Sequence, residues 1–367
     1  MKKQLFLVFA LLTVSISSAQ KFQDTIPFRN DLGLIIIPIS FNGVEKQFAF
    51  DTGAQNTVAY DWAEKELKKT NKTLTVVSST NLRSKMYFYN SGTINLGSRK
   101  ITGHKILNTP KNDIFSCHKV DGILGVDIIK ALNWKIDYKK KMLIMYPSNH
   151  FPEDNNLMHE LDFTFSDNRP YVYLRRKKNR FKFLLDTGSG GYSNISKRNY
   201  NLTNEDEFVK GEMYTGNFDV NGILTTTKPK ILAFPESKSN KASIAPIVYY
   251  NNLKSSKLGN KLWKDQALFL SLKSKKLLVS SSKINQSYTG YECSVIYQKG
   301  KMVIMGLLKN GPLWHLGIRQ GDEVLKIDGK TFFDFCSLDQ YQRKMMSEEK
   351  PFSIQLKNGK SVIVSKL

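Results

Sequence analysis

One short design occurs twice in this chain, and it constrains the fold more than any other feature. Phe48-Ala-Phe-Asp51-Thr52-Gly53-Ala54 runs an apolar strand into an acid and turns at once on Thr-Gly. Phe183-Leu-Leu-Asp186-Thr187-Gly188-Ser189 does the same, and the two acids stand 186 − 51 = 135 positions apart. A second pair of landmarks repeats almost in step. Ile123-Leu124-Gly125 and Lys257-Leu258-Gly259 place their glycines 259 − 125 = 134 positions apart. Two independent landmarks at nearly one offset describe two copies of one structural unit.

Each copy reads mostly as strand. An extended run (34–41 or 171–174) reaches a turn at Asn42-Gly43 or Lys178-Asn179. The strand to the acid follows, with Phe48 and Phe50 matched on one face by Phe183 and Leu185. Further strands and turns lead to Leu-Gly, which opens a short helix over 126–132 or 260–264. A closing hairpin turns at 137–140 or 273–275. The expectation is a mostly β fold with one short helix per copy.

An acid between an apolar strand and a tight turn asks for a chemical reason. A single Asp-Thr-Gly is an ordinary turn, because Asp and Gly both favour turns. Two of them, each with a Leu-Gly partner some seventy residues on, resemble the aspartic protease superfamily. The match looks most like the retropepsin-like lobes of bacterial secreted proteins, fused in one chain over about residues 30 to 282. The resemblance implies two β-barrel-type lobes, 20–150 and 151–282, and an endopeptidase acting on peptide or protein substrates with no metal or cofactor. Asp51 and Asp186 would activate water between them; carboxylates held about 3 Å apart cannot both ionise. The ionised acid takes a proton from water while the protonated one polarises the scissile carbonyl.

The resemblance also assigns support roles. Gly53 and Gly188 allow the tight turn and offer N–H groups to the carboxylates. Thr52 and Thr187 match the family's paired threonines, whose hydroxyls lock the two loops together. Ser189 can hydrogen-bond its own carboxylate and Ala54 cannot, so the two acids should differ, although a coupled pair leaves their roles unassigned. Lys257 departs from the pattern, standing where the family has an apolar residue, and should loosen the support beneath Asp186. The alternative that follows is a catalytically inactive peptide-binding protein with the same fold. Substrate-covering hairpins are expected within 84–95 and 213–226, with Tyr87, Phe88, Tyr89, Tyr214 and Phe218 as candidate cleft residues. Both acids lie in one chain, so a monomer should suffice.

Residues 287–367 form a different unit. Pro312 opens a short helix, Gly317 ends it, Gly321-Asp322 turns, and 324–327 is a strand before the Asp328-Gly329 turn. Ser337-Leu-Asp-Gln340 reads as a capping box for a helix to about Met346, and strands at 352–356 and 361–365 close around Asn358-Gly359. This succession resembles a PDZ domain of the bacterial type. The resemblance implies a groove that takes a peptide as an added strand and holds its C-terminal carboxylate, with Gly290-Tyr291 as the candidate loop. The open alternative is a structural role, packed on the protease without binding peptide.

The N-terminus bears on location. Lys2 and Lys3, an apolar run over 5–14 and Ser17-Ser18-Ala19 make residues 1–19 a secretory signal peptide. The run is too short to span a bilayer comfortably, so a periplasmic or secreted protein without an integral membrane segment is expected, starting at Gln20. Three cysteines cannot staple a fold, though a Cys293–Cys336 bridge is conceivable. His104, His118, His150, His159 and His315 show no metal spacing and read as surface or half-buried residues. The net charge of +23 is spread along the chain. Its densest run, 175–180, lies between two strand-like segments and reads as a hairpin tip in water. No nucleic-acid partner is expected; what remains is a general attraction for acidic surfaces.

Overall fold

A computed structural model describes residues 23–366 except 79–82, 111–112, 153–156, 204–208, 219–223, 228–229 and 251–254; for 113–114, 209–218, 224–227 and 347 it describes backbone alone. The segment 1–19 and the expected start at Gln20 lie outside the described residues.

In the first half, Ile36–Phe41 and Val44–Phe50 form a hairpin, in register from Phe41↔Val44 to Ile36↔Ala49. Its two-residue turn holds Asn42 and Gly43 at φ 51° and 91°, the left-handed backbone that Asn-Gly adopts at least cost. The second half repeats this with Arg169–Arg176 and Asn179–Leu185. Here the turn falls on Lys177-Lys178, one residue earlier than expected. Arg175 and Arg180 near the tip share the carboxylate of Asp162.

The Leu-Gly segments lie beside the acid-bearing strands. Gly122–Leu124 runs parallel to Val44–Phe50, pairing Leu124 with Phe50. Lys257–Leu258 runs parallel to Asn179–Leu185, pairing Leu258 with Leu185. Helix Val126–Ile129 and the 3₁₀ turn Asn260–Trp263 follow directly. Each half then sends its closing hairpin into one shared antiparallel sheet. In the order of that sheet, Asp24–Pro27 is followed by Met142–Pro147, Leu132–Asp137, Ala267–Ser271, Lys276–Val279 and His159–Glu160. The halves meet where Trp134 pairs with Leu270 and Ile136 with Leu268. The largest hydrophobic cluster among the described residues runs through both. Trp134, Trp263, Phe50 and Phe183 are fully buried in it, and Phe50 meets Trp134 edge to face at 5.0 Å. Burying each such side chain stabilises the fold by roughly 1.5–3 kcal/mol.

The long hairpin of the first half differs from expectation. Arg83–Asn90 is its returning strand, and Lys68–Val77 is its partner. Thr93–Leu96 belongs to a separate hairpin with Arg99–Thr102. The break falls at Ser91-Gly92: Gly92 takes φ 68°, and the Ser91 hydroxyl donates to the His104 carbonyl. In the second half, Val209–Phe218 and Leu224–Thr227 pair antiparallel.

The C-terminal unit is an antiparallel sheet of Cys293–Gln298, Lys301–Leu308, Glu323–Ile327, Phe352–Leu356 and Ser361–Val364. Helices Pro312–His315 and Phe335–Glu348 complete it around a core of its own. The long helix starts three residues earlier than the Ser337 capping box implied. Its N-cap is Asp334, whose carboxylate accepts the Ser337 N–H at 2.8 Å. Cys336 lies in its first turn and pairs with Cys117 of helix Asp113–Cys117, with Cα atoms 5.3 Å apart. The conceived Cys293–Cys336 bridge is therefore wrong. Cys293 is buried and free inside the C-terminal core, and burial pushes its thiol up to about 12. A single bridge thus ties together segments 219 residues apart. Buried His118 joins the same contact through Asp339, which also holds Arg343. On its other side, the C-terminal unit pairs Leu307 with Tyr214 and Leu308 with Met213, extending the second half's long hairpin strand. Among the described residues, no helix is long and apolar enough to cross a membrane.

Candidate active site

The two Asp-Thr-Gly loops meet at the junction of the halves. Each acid follows the last residue of a buried strand, Phe50 or Leu185. Each acid N–H donates to the carbonyl of the neighbouring Leu-Gly leucine, Asp51 to Leu124 and Asp186 to Leu258. The threonines then cross over. Thr52 N donates to Thr187 Oγ1 at 2.9 Å, and Thr187 N to Thr52 Oγ1 at 3.1 Å. The hydroxyls in turn donate to the opposite strands, Thr52 Oγ1 to the Leu185 carbonyl at 2.6 Å and Thr187 Oγ1 to the Phe50 carbonyl at 2.7 Å. All four bonds are buried, where they hold more tightly than in water.

This interlock turns the carboxylates toward one another. A Cβ on Gly188 would lie 2.2 Å from Asp51 Cγ, and one on Gly53 would lie 2.5 Å from Asp186 Oδ1. Each glycine thus makes room for the other loop's acid. Asp51 Oδ1 accepts Gly53 N at 2.7 Å and Ala54 N at 3.1 Å, and Asp186 Oδ1 accepts Gly188 N at 3.1 Å. Asp51 is driven up to about 7 by the loss of water around it, and further by the neighbouring charge of Asp186.

The second oxygen of Asp186 corrects an expectation. Its Oδ2 lies 2.9 Å from Lys257 Nζ, in place of the Ser189 hydroxyl. Ser189 contributes only main-chain bonds: its N–H to the Asp186 carbonyl, and its carbonyl to Asn260 N. Nor does Lys257 leave a gap beneath Asp186. Its ammonium pairs with that carboxylate and is held above the usual lysine range by it. The departure at Lys257 was visible in the sequence, but its direction was not.

Two further supports were missed. Asn260 Nδ2 donates to the carbonyls of Thr187 and Gly33, and its Oδ1 accepts the Tyr138 hydroxyl. Asp127 accepts Thr57 N and Oγ1 and faces His104 Nε2 at 2.9 Å. Both sit just after the Leu-Gly glycines, so the signal was positional.

The other candidates spread out. Tyr87 is exposed on Arg83–Asn90 beneath the Lys69 ammonium, 3.6 Å from its ring centroid. Tyr89, two residues on, is 3% exposed, so it packs in the interior and lines no open cleft. Tyr214 and Phe218 lie on the strand paired to the C-terminal unit, their side chains outside the described residues. Gly290 and Tyr291 border a cavity of about 560 Å³ with Gly190, Tyr192, Lys261 and Tyr288. The Tyr291 side chain is structural: its hydroxyl donates to the Lys350 carbonyl at 2.8 Å, and its ring packs on Phe352.

Residues 37–128 match the aspartyl protease family. That stretch carries Asp51-Thr52-Gly53 and Leu124-Gly125. No curated protein matches the chain.

Proposed function

We propose that the protein is an exported, monomeric aspartic endopeptidase that hydrolyses peptide bonds with water activated between Asp51 and Asp186. The supporting observation is the threonine interlock, which holds two carboxylates from equivalent loops against each other's glycines. One carboxylate removes a proton from water as the water oxygen bonds to the peptide carbon. The other gives its proton to the carbonyl oxygen, and the amine leaves with a proton when the C–N bond breaks. Digestion of a peptide library tests this directly. The wild type should cut and Asp51→Asn should not, because an amide can neither share nor accept the proton. Undiminished cleavage by Asp51→Asn overturns the assignment.

The C-terminal unit, in this reading, is a PDZ domain that also braces the enzyme. One side is stapled to the first half by Cys117–Cys336, and the other continues the strand carrying Tyr214. Gln342 Nε2 already donates to the Val295 carbonyl between helix and edge strand, which favours the brace over peptide capture. The rival reading, a peptide binder that does not cut, draws on the ion pair between Lys257 and Asp186.

A further inference from the structure

Lys257 occupies an unusual place for a cation. It sits on the two-residue strand Lys257–Leu258, beside the acid-bearing strand, with Leu184 as its pairing partner. Its side chain is 19% exposed and that of Asp186 only 7%. The pair is therefore shielded from solvent, where an ion pair is strong and a broken one costly. The two acids are treated unequally. Asp186 has one oxygen on the Gly188 amide and the other on an ammonium at 2.9 Å. Asp51 has two amides on a single oxygen, and Lys257 acts on it only through space. Among the described residues, Arg169 opposes the Lys257 charge and buried Tyr60 feels Asp51.

We propose that Lys257 is a positioning residue that fixes the negative charge of the dyad on Asp186 and leaves the proton on Asp51. The inference rests on the endopeptidase reading and assigns the roles that a symmetric pair would leave open. Asp186 takes the proton from water while the water oxygen bonds to the carbonyl carbon. Asp51 gives its proton to the carbonyl oxygen. On collapse the C–N bond breaks, the nitrogen takes the proton held by Asp186, and Asp51 recovers its own from the gem-diol. Both carboxyls return to their starting states. The ammonium at 2.9 Å keeps Asp186 charged while Asp51 is still protonated. Acting on Asp51 through space, it also lowers that acid, so the alkaline end of the active charge state lies lower than it would without the lysine.

The test is the pH profile of kcat/KM for the wild type, Lys257→Met and Lys257→Arg, each checked for folding by denaturation. The wild-type alkaline limb should fall near pH 7, where Asp51 loses its proton. Lys257→Met removes a positive charge from both acids, so both limbs should move up by about 1 pH unit. Lys257→Arg keeps the charge and should leave the limbs in place even if the rate drops. A Lys257→Met enzyme that is slower with unmoved limbs overturns the proposal, because a merely structural prop would behave that way. A second readout needs no turnover: titration of ¹³C-labelled aspartate carboxyls, with Asp51 assigned by its loss in Asp51→Asn. An Asp51 midpoint that rises in Lys257→Met supports the charge assignment, and an unmoved midpoint overturns it. If no peptide is cut at any pH, the endopeptidase reading fails, and the titration still decides what Lys257 does.

Discussion

Thr52→Ala is the sharpest probe of how the two halves are joined. Thr52 Oγ1 donates to the Leu185 carbonyl at 2.6 Å and accepts Thr187 N at 3.1 Å, and Thr52 itself is fully buried. Alanine leaves a buried carbonyl and a buried amide unpaired, each at about 1–3 kcal/mol. The lost methyl adds about 0.8 kcal/mol. The expected destabilisation is therefore about 3–7 kcal/mol, a large share of the roughly 5–15 kcal/mol that holds a typical domain. Thr52→Ser keeps the hydroxyl and both bonds and should cost only about 1 kcal/mol. Urea unfolding followed by fluorescence reads this, since Trp134 and Trp263 are buried in the shared core. Peptide hydrolysis should fall more in the alanine variant than in the serine variant, because the loops set the distance between the acids. Equal stability of the two variants, within about 0.5 kcal/mol, refutes the reasoning, because it means the crossed bonds contribute nothing net.

The remaining predictions concern charge, the disulfide and the glycines. Asp51 has a folded-state value of about 7, above its unfolded value of about 3.9. The stability from its protonated form is therefore fully present below pH 4 and is lost as pH rises through 7. Asp51→Asn should match the wild type near pH 4 and exceed it at pH 8 by about 1–4 kcal/mol in denaturant unfolding. Cys336→Ser opens a loop of 219 residues, worth up to about 5 kcal/mol by chain entropy. Limited proteolysis should then release the C-terminal unit faster, and a reductant should mimic the effect on the wild type. Gly188→Ala drives a methyl into Asp51, whereas nothing lies within 4 Å of a Cβ on Gly191. The first should abolish hydrolysis and the second leave it intact. Deleting 287–367 removes the partner of the Tyr214 strand, so kcat/KM should drop for short and long substrates alike, whereas a drop on long substrates alone marks a recruiting domain.

Much of this protein was legible in one dimension because its signals are local. Phe48-Ala-Phe before Asp51 and Phe183-Leu-Leu before Asp186 are strands buried on both faces, and Asn42-Gly43 is a turn that two residues determine between themselves. The offset of 135 between Thr52 and Thr187 survives as a physical contact between the same two residues. Side-chain destinations were not legible. Tyr87 and Tyr89 look alike in sequence and, two apart on one strand, share a face; one is exposed and the other buried, a difference that alternation along the strand does not carry. Cys336 pairs with Cys117 and not with Cys293, since that choice depends on which helix the C-terminal unit sets against its own. Lys257 was readable as a departure, but a lysine reaches several ångströms along a flexible stem, and only the packed structure decides where its ammonium rests. The chain by itself determined where the strands end and which residues stand at their ends. Tertiary structure decided which of those residues share a charge, because electrostatic partnership depends on distance and burial, and neither is encoded in spacing along the chain.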